Sequence, residues 1–371
     1  MTGIEPSGGP PASGAQRLRL RTSRAVVLAV GLLALAASPG SPARADPAPT
    51  RDGRFGLAHI DNMDLHIQRR PDAPPQAVEH LPSADLADRY RRAADSGAAW
   101  HRWSLYWDLV DRGGTYDWAV SDGIAARDVA SGLRTLGVLQ GMPPGVADLR
   151  TAPEGIGAPI FLRTDGTLTD DPEGGAGVNP GNPWARFVAA AVDRYRPGGS
   201  LATTRGWGAG VGIRVWEIGN EPNLTFFWRG TPADFARYLE VAYLVAHFRD
   251  PAATVVHGGI ANDANAESWF AAFLDALKAR AAASPLPARH GYYFDKTAWH
   301  WYTVPSNLTV GTPARVRAML SERGIPPKGF WVTEFGAPVW SEYPGPCWDP
   351  ASPLRVSTAE QGGFVWQAIG E

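Results

Sequence analysis

The strongest constraint on this chain is a rhythm. From about residue 54 onward, short apolar runs alternate with amphipathic helical stretches. The strand-like runs are Phe55–Ile60, Ala98–Leu105, Thr135–Gln140, Ile213–Ile218, Ala253–His257, Lys296–Tyr302 and Gly329–Phe335. Between and after them lie helical patterns at Ala84–Ser96, Asp122–Leu133, Trp184–Tyr195, Pro232–Phe248, Ala266–Ala282, Pro313–Arg323 and Thr358–Ile369. Each helical stretch is long enough to return the chain to the start of the next strand, so the strands run parallel. That many repeats in one stretch favour a closed α/β barrel of the (β/α)8, or TIM, type over an open sheet. A closed barrel of that type needs eight strands, and seven are legible before Glu371. Either one strand is hidden, the last βα unit at the C-terminus is absent, or the chain given is a piece of a longer one. An absent strand would leave the first and seventh as unpaired edges.

Several function classes drop out. No Gly-x-Gly-x-x-Gly follows the first strand, which removes the dinucleotide-binding reading, and no phosphate-binding Gly-x4-Gly-Lys-Ser/Thr is present. A formal charge of −2 gives no means of electrostatic capture of nucleic acid or an anionic membrane. No His-Glu-x-x-His or Cys cluster occurs, so neither a catalytic metal nor a cofactor is expected. The single Cys347 allows no intrachain disulfide. Fifteen Trp suit a large core or stacking platforms for flat, partly apolar ligands such as sugar rings.

The N-terminus has the form of an export signal. Arg17, Arg19, Arg21 and Arg24 precede the apolar run Ala25–Ala37, and Ala43-Arg44-Ala45 offers a small-x-small cleavage site. Residues 1–45 are thus expected to be a signal peptide, 46–53 a flexible linker and 54–371 the catalytic domain. The mature protein is expected to be secreted, periplasmic or at the cell surface, without stable membrane insertion. A Gly/Pro/Asp-rich segment from about 141 to 183 is long for a structureless connection, and such loops are usually functional or mobile. It and the 337–356 segment are expected to form part of the rim of the site.

In a parallel barrel the chemistry sits at the C-terminal ends of the strands. The fourth strand ends in Trp216-Glu217-Ile218-Gly219-Asn220-Glu221-Pro222-Asn223 and the seventh in Thr333-Glu334-Phe335-Gly336. His300-Trp301-Tyr302 ends the sixth, Arg102 lies near the end of the second, and His59 ends the first. Two strand-end carboxylates facing one another are what glycosidic bond cleavage needs. One must be protonated to donate to the leaving oxygen and the other ionised to attack. A lone strand-end Glu is usually a cap or salt-bridge residue, but two in such surroundings favour catalysis. Glu217 faces the barrel interior by strand alternation and reads as a partner for Arg102 or a His. His59 could bind a sugar hydroxyl or be a satisfied buried histidine. Trp301 and Trp340 could stack on sugars or fill core.

The segment 216–223 resembles the strand-four acid/base motif of clan A glycoside hydrolases, and 333–336 resembles the strand-seven nucleophile segment of that clan. The resemblance covers about residues 54–371. It implies retaining cleavage, with Glu221 as acid/base, Glu334 as nucleophile and Asn220 on the sugar 2-hydroxyl. It further implies that Arg102 and Tyr302 bind the nucleophile and that His300 shapes the sugar pocket. For this cycle Glu221 needs a raised pKa. The stretch from Arg102 to Trp118, with Trp107 and Tyr116-Asp117-Trp118, is most similar to family 39, which includes β-xylosidases and exopolysaccharide glycosidases. Gly219 departs from the Trp common there, and Gly-Asn-Glu-Pro-Asn is also similar to family 79, the heparanase-like group. The implied partner is an oligo- or polysaccharide. A transglycosylase and a catalytically inactive sugar-binding barrel are the other readings.

Overall fold

A computed structural model describes residues 51–61, 83–141, 152–302, 312–337 and 356–370. The leader, Trp340, Cys347 and nearly all of the 337–356 segment lie outside these residues. Strand β1 (Asp52–Ala58) starts within the expected linker, three residues earlier than its apolar run. Helix α1 (Ser83–Asp95), β2 (Ala98–Tyr106), the one-turn α2 (Trp107–Val110), α3 (Ala119–Ala130) and β3 (Arg134–Gln140) follow. A meander of β4 (Phe161–Arg163), β5 (Leu168–Thr169) and β6 (Gly175–Val178) precedes α4 (Pro183–Tyr195), α5 (Ser200–Arg205) and β7 (Val215–Ile218). Next come α6 (Pro232–Arg249), β8 (Thr254–His257), β9 (Ile260–Ala261), α7 (Ala266–Ala283), α8 (Leu286–Arg289) and β10 (Lys296–Tyr302). The described chain ends with α9 (Thr312–Glu322), β11 (Gly329–Gly336) and α10 (Thr358–Gly370).

The main sheet has the order β1-β2-β3-β7-β8-β10-β11, with β9 continuing β8 alongside β10. All of its pairings are parallel. The seven strands form a nearly closed barrel, and no pairing joins β1 to β11 among the described residues. Strand alternation sorts the side chains. Trp103, Leu105, Trp216, Ile218 and Trp299 face outward into the main core beneath the helices. Leu136, Val256 and Ala298, with Trp100, Val215 and Trp331, form a separate apolar layer. The next inward positions along the same strands carry Arg102, Glu217 and His300, all buried. The apolar layer thus supports a charged one.

Two interruptions of the regular pattern prepare the site. In β10–β11, Trp299 pairs with Val332 but His300 pairs with Glu334, so the register shifts at Thr333. Such a bulge puts two residues opposite one. Strict alternation from Trp331 would turn Thr333 inward and Glu334 outward; the bulge brings both toward the barrel axis. The second interruption is Gly258-Gly259, between β8 and β9. A Cβ at Gly259 would overlap the His300 ring and stand 2.8 Å from Thr333 Oγ1. Only glycine lets the two walls approach this closely.

Within the 141–183 segment, residues 161–178 form a three-stranded antiparallel meander, which is tied to α6; residues 142–151 lie outside the described residues. Phe161 packs on Phe248 at the C-terminal end of α6, with ring centroids 5.0 Å apart. Arg237 in α6 donates to Asp170 through Nη1 and Nη2, both at 3.0 Å, to the Ile156 and Ala158 carbonyls, and to Glu240 at 2.9 Å. This cover explains why α6 is apolar around most of its circumference. A capping box between Thr231 and Asp234, with Pro232 in the first turn, starts that helix. Among the described residues no helix is long and apolar enough to cross a membrane.

Candidate active site

Arg102, on β2, is the centre of the charged layer. Its Nε and Nη2 donate to the two oxygens of Glu217 at 2.7 and 3.1 Å, and Nη2 also donates to Asn220 Oδ1 at 2.8 Å. Nη1 donates to Glu334 Oε1. The guanidinium fork thereby ties β2 to β7 and β11. Breaking such a buried, hydrogen-bonded pair by removing one partner costs about 3–5 kcal/mol. Tyr302 donates its hydroxyl to the other Glu334 oxygen at 2.5 Å, although the residue as a whole is 43% exposed.

Glu334 is therefore held as an anion. Burial alone would raise its pKa, but the charges of His300 and Arg102 and the Tyr302 hydroxyl outweigh burial and bring it down to about 2. His59 adds to this from the β1 side. The arrangement keeps Glu334 in the charged form that a nucleophilic carboxylate requires.

Glu221 sits just past β7 in a left-handed backbone conformation, φ 41°. That conformation is uncommon for a residue with a side chain and is found where surroundings over-determine it. Here the Glu221 N–H donates to the Gly259 carbonyl at 3.0 Å, and its own carbonyl accepts from Leu224. Asn223 pins the turn, donating to Ala261 O and Asp263 Oδ1 and accepting from the Ala261 N–H. Gly219, the departure from the family pattern, has φ 75°, and a Cβ there would meet Phe235 Cε2 at 3.0 Å. A Trp would be strained in this turn, so the glycine belongs to this local geometry.

A carboxylate oxygen of Glu221 and one of Glu334 lie within 4.8 Å of each other and of a His300 nitrogen. His300 Nδ1 is 3.0 Å from Glu221 Oε1 and 3.8 Å from Glu334 Oε2. On its other side Nε2 contacts Thr333 Oγ1 at 3.1 Å. Burial pulls the His300 pKa down, but the Glu334 charge and the interactions with Glu217 and Glu221 outweigh it and raise it to about 9. Among the described residues these three side chains are the group that could converge on a cation.

The remaining expected residues divide. His59 ends β1 with φ 55°, its N–H donating to the Arg102 carbonyl and its carbonyl accepting from Arg89. Ile60 N donates to His101 Nε2 at 3.0 Å, which places the His101 proton on Nδ1 for Asp128 at 2.7 Å. This buried network fixes the β1 end beside Glu334. Trp301 is not in the bowl: it packs on the outer core against Phe330, since alternation turns it away from His300 and Tyr302. Trp107, Tyr116 and Trp118 likewise belong to the core, around Phe187. Thr333 and Gly259 were not singled out from the sequence. Their signals are the bulge and the close approach, neither of which a strand pattern displays.

No family model and no curated protein matches the chain. Solved structures show a distant likeness. A glucosidase from Croceicoccus marinus is 16% identical over 72% of this chain and 49% of its own, with a TM-score of 0.46. A monomeric β-xylosidase from Caulobacter crescentus CB15 is 17% identical over 78% and 54%, at 0.46. A family 39 glycoside hydrolase from Bacteroides cellulosilyticus WH2 is 15% identical over 78% and 51%, at 0.47. The chain spans about half the length of each.

Proposed function

We propose that this chain is a retaining β-glycosidase that hydrolyses O-glycosidic bonds of oligo- or polysaccharides. The observation that carries the reading is the pair of carboxylates at the strand ends, with oxygens within 4.8 Å. Retaining enzymes hold theirs about 5–5.5 Å apart, whereas inverting ones leave about 6.5–9.5 Å for a water. Glu334 attacks the anomeric carbon, and the carbon–oxygen bond breaks as Glu221 protonates the leaving oxygen. In the second half Glu221 takes a proton from water, and that water releases the sugar from Glu334. Asn220, which precedes Glu221 and accepts from Arg102 through Oδ1, offers its amide N–H to a sugar hydroxyl. Arg102 and Tyr302 orient the nucleophile. Neither half-reaction calls on a cofactor. The leader read from the sequence would put this activity outside the cytoplasm.

The test is an intact mass spectrum after incubation with a panel of 2-deoxy-2-fluoro β-glycosides, beside Glu334→Gln. A gain of one sugar residue, absent from the variant, supports the reading and names the sugar. A folded protein that gains no mass across the panel overturns it. Added sugar acceptors in the same incubations separate hydrolysis from transfer.

A further inference from the structure

Glu221 begins a tightly wound segment that leads into α6. The Glu221 carbonyl accepts from the Leu224 N–H at 2.9 Å, and the Leu224 carbonyl accepts from the Phe227 N–H at 3.0 Å and the Trp228 N–H at 2.9 Å. Trp228 anchors the far end of this segment. It is buried, its ring centroid lies 5.5 Å from that of Phe235 and 5.3 Å from that of Tyr238, and its Nε1 donates to the Thr231 carbonyl at 3.3 Å. Phe227 is half-buried and, with Gln140, Gly219, Asn220 and Trp228, walls a small cavity between the ends of β3 and β7. Phe226 stands against Phe227 edge to face, with ring centroids 4.9 Å apart and ring planes at 90°. Unlike its two neighbours on the C-terminal side, it keeps 41% of its surface in water.

An isolated exposed ring needs no explanation. This one is held by a second ring and by backbone hydrogen bonds on its C-terminal side. It belongs to the segment that carries Glu221, at the carboxyl end of the barrel strands. Hydrogen-bonded closures of this kind keep the Cα atoms of residues i and i+3 within about 7 Å, so Phe226 lies no more than about 14 Å from Glu221 along the segment. A short oligosaccharide covers that span.

We propose that Phe226 is the platform for the sugar on the leaving side of the scissile bond, and so favours oligosaccharides over glycosides with small leaving groups. This rests on the retaining reading. Glu221 protonates the leaving oxygen, which puts the departing sugar on the Glu221 side of the bowl. A pyranose gathers C–H groups on its faces and hydroxyls around its rim, so it can lie on an aromatic ring while the rim stays hydrated. The ring is already in place, and little ordering cost opposes the contact. Binding energy from this non-reacting sugar is then available at the reacting centre. In the second half the same platform receives an acceptor. With a sugar hydroxyl as acceptor, its oxygen attacks the anomeric carbon and its proton passes to Glu221. The bond to Glu334 breaks, and its electron pair returns to the carboxylate. Water gains nothing from an aromatic face, so Phe226 raises the share of transfer over hydrolysis.

The experiment traps wild type, Phe226→Ala and Phe226→Tyr with a 2-deoxy-2-fluoro β-glycoside. After removal of the excess, the return of the unmodified mass is followed with and without added cellobiose or xylobiose. Reactivation by water in the same samples is the divisor. Expected is a saturable acceleration by one of these disaccharides in wild type and Phe226→Tyr, reduced by roughly three- to tenfold in Phe226→Ala. The ratio of kcat/KM for a β-linked disaccharide to that for the glycosyl fluoride, which has no leaving sugar, should fall by the same factor. Equal acceleration in wild type and Phe226→Ala overturns the proposal, as does a wild type that neither disaccharide accelerates. A wild type that traps no fluorosugar counts against the glycosidase reading instead. The platform is then read without turnover, by fluorine NMR of protein carrying para-fluorophenylalanine in place of Phe226 and titrated with cellobiose and xylobiose. A saturable shift supports the contact, and an unmoved signal overturns it.

Discussion

Placing one methyl group at Gly259 should disable the site from its wall. An alanine Cβ would overlap the His300 ring and lie 2.8 Å from Thr333 Oγ1, inside the 3.0 Å limit that real Cβ atoms respect. Neither neighbour is a free chain end: both sit in strands of the barrel. The imidazole must rotate away, and the links to Thr333 at 3.1 Å and Glu221 at 3.0 Å break together. Overpacking of this kind costs about 1–3 kcal/mol of stability. Displacement of Glu221 adds a kinetic loss under the proposed mechanism, where misplacement by about 1 Å costs on the order of a hundredfold. Gly259→Ala should therefore have a lower urea midpoint and a kcat/KM reduced by roughly two orders of magnitude on an aryl β-glycoside. A variant that keeps its midpoint and stays within about threefold of wild type would show that His300 is not confined as described.

Other perturbations separate the parts. Tyr302→Phe removes a hydrogen bond to a charged oxygen worth about 1.5–3 kcal/mol, so kcat should fall by roughly ten- to a hundredfold at little cost in thermal midpoint. Arg237→Ala unlatches the meander at a cost of about 3 kcal/mol, lowering the thermal midpoint by several degrees while kcat stays unchanged. The pH dependence of stability follows from two groups. Glu334, lowered from 4.5 to about 2, stabilises the fold above pH 4.5 and loses that contribution as pH falls toward 2. His300, raised from 6.5 to about 9, stabilises it below pH 6.5 and loses that as pH rises toward 9. Urea midpoints measured from pH 3 to 10 should be highest between those limits.

Much of this was legible because strands and helices announce themselves by period. Seven strand-like runs correspond to the seven main strands, and the inward positions of Arg102, Glu217 and His300 follow from alternation alone. What stayed hidden broke the period. Glu334 reaches the bowl only through the bulge at Thr333; read by alternation from Trp331 it would face the helices. Gly258-Gly259 splits one strand into β8 and β9, yet appears in the sequence as an ordinary end. The meander escaped because its strands are two to four residues long and the turns between them are rich in Gly and Asp. Trp301 misled for the opposite reason: its neighbours are site residues, and its own parity sends it to the core.

The meander has a practical use. It approaches the C-terminal end of α6, and Arg289, just ahead of β10, pairs with Asp171. Arg237, nearer the start of α6, holds its other side through Asp170. The β4–β5 turn exposes Gly166 with nothing within 4 Å of where its Cβ would be. A tether or dye inserted at that turn would meet no neighbouring side chain and leave the Arg237 and Arg289 links of the meander in place.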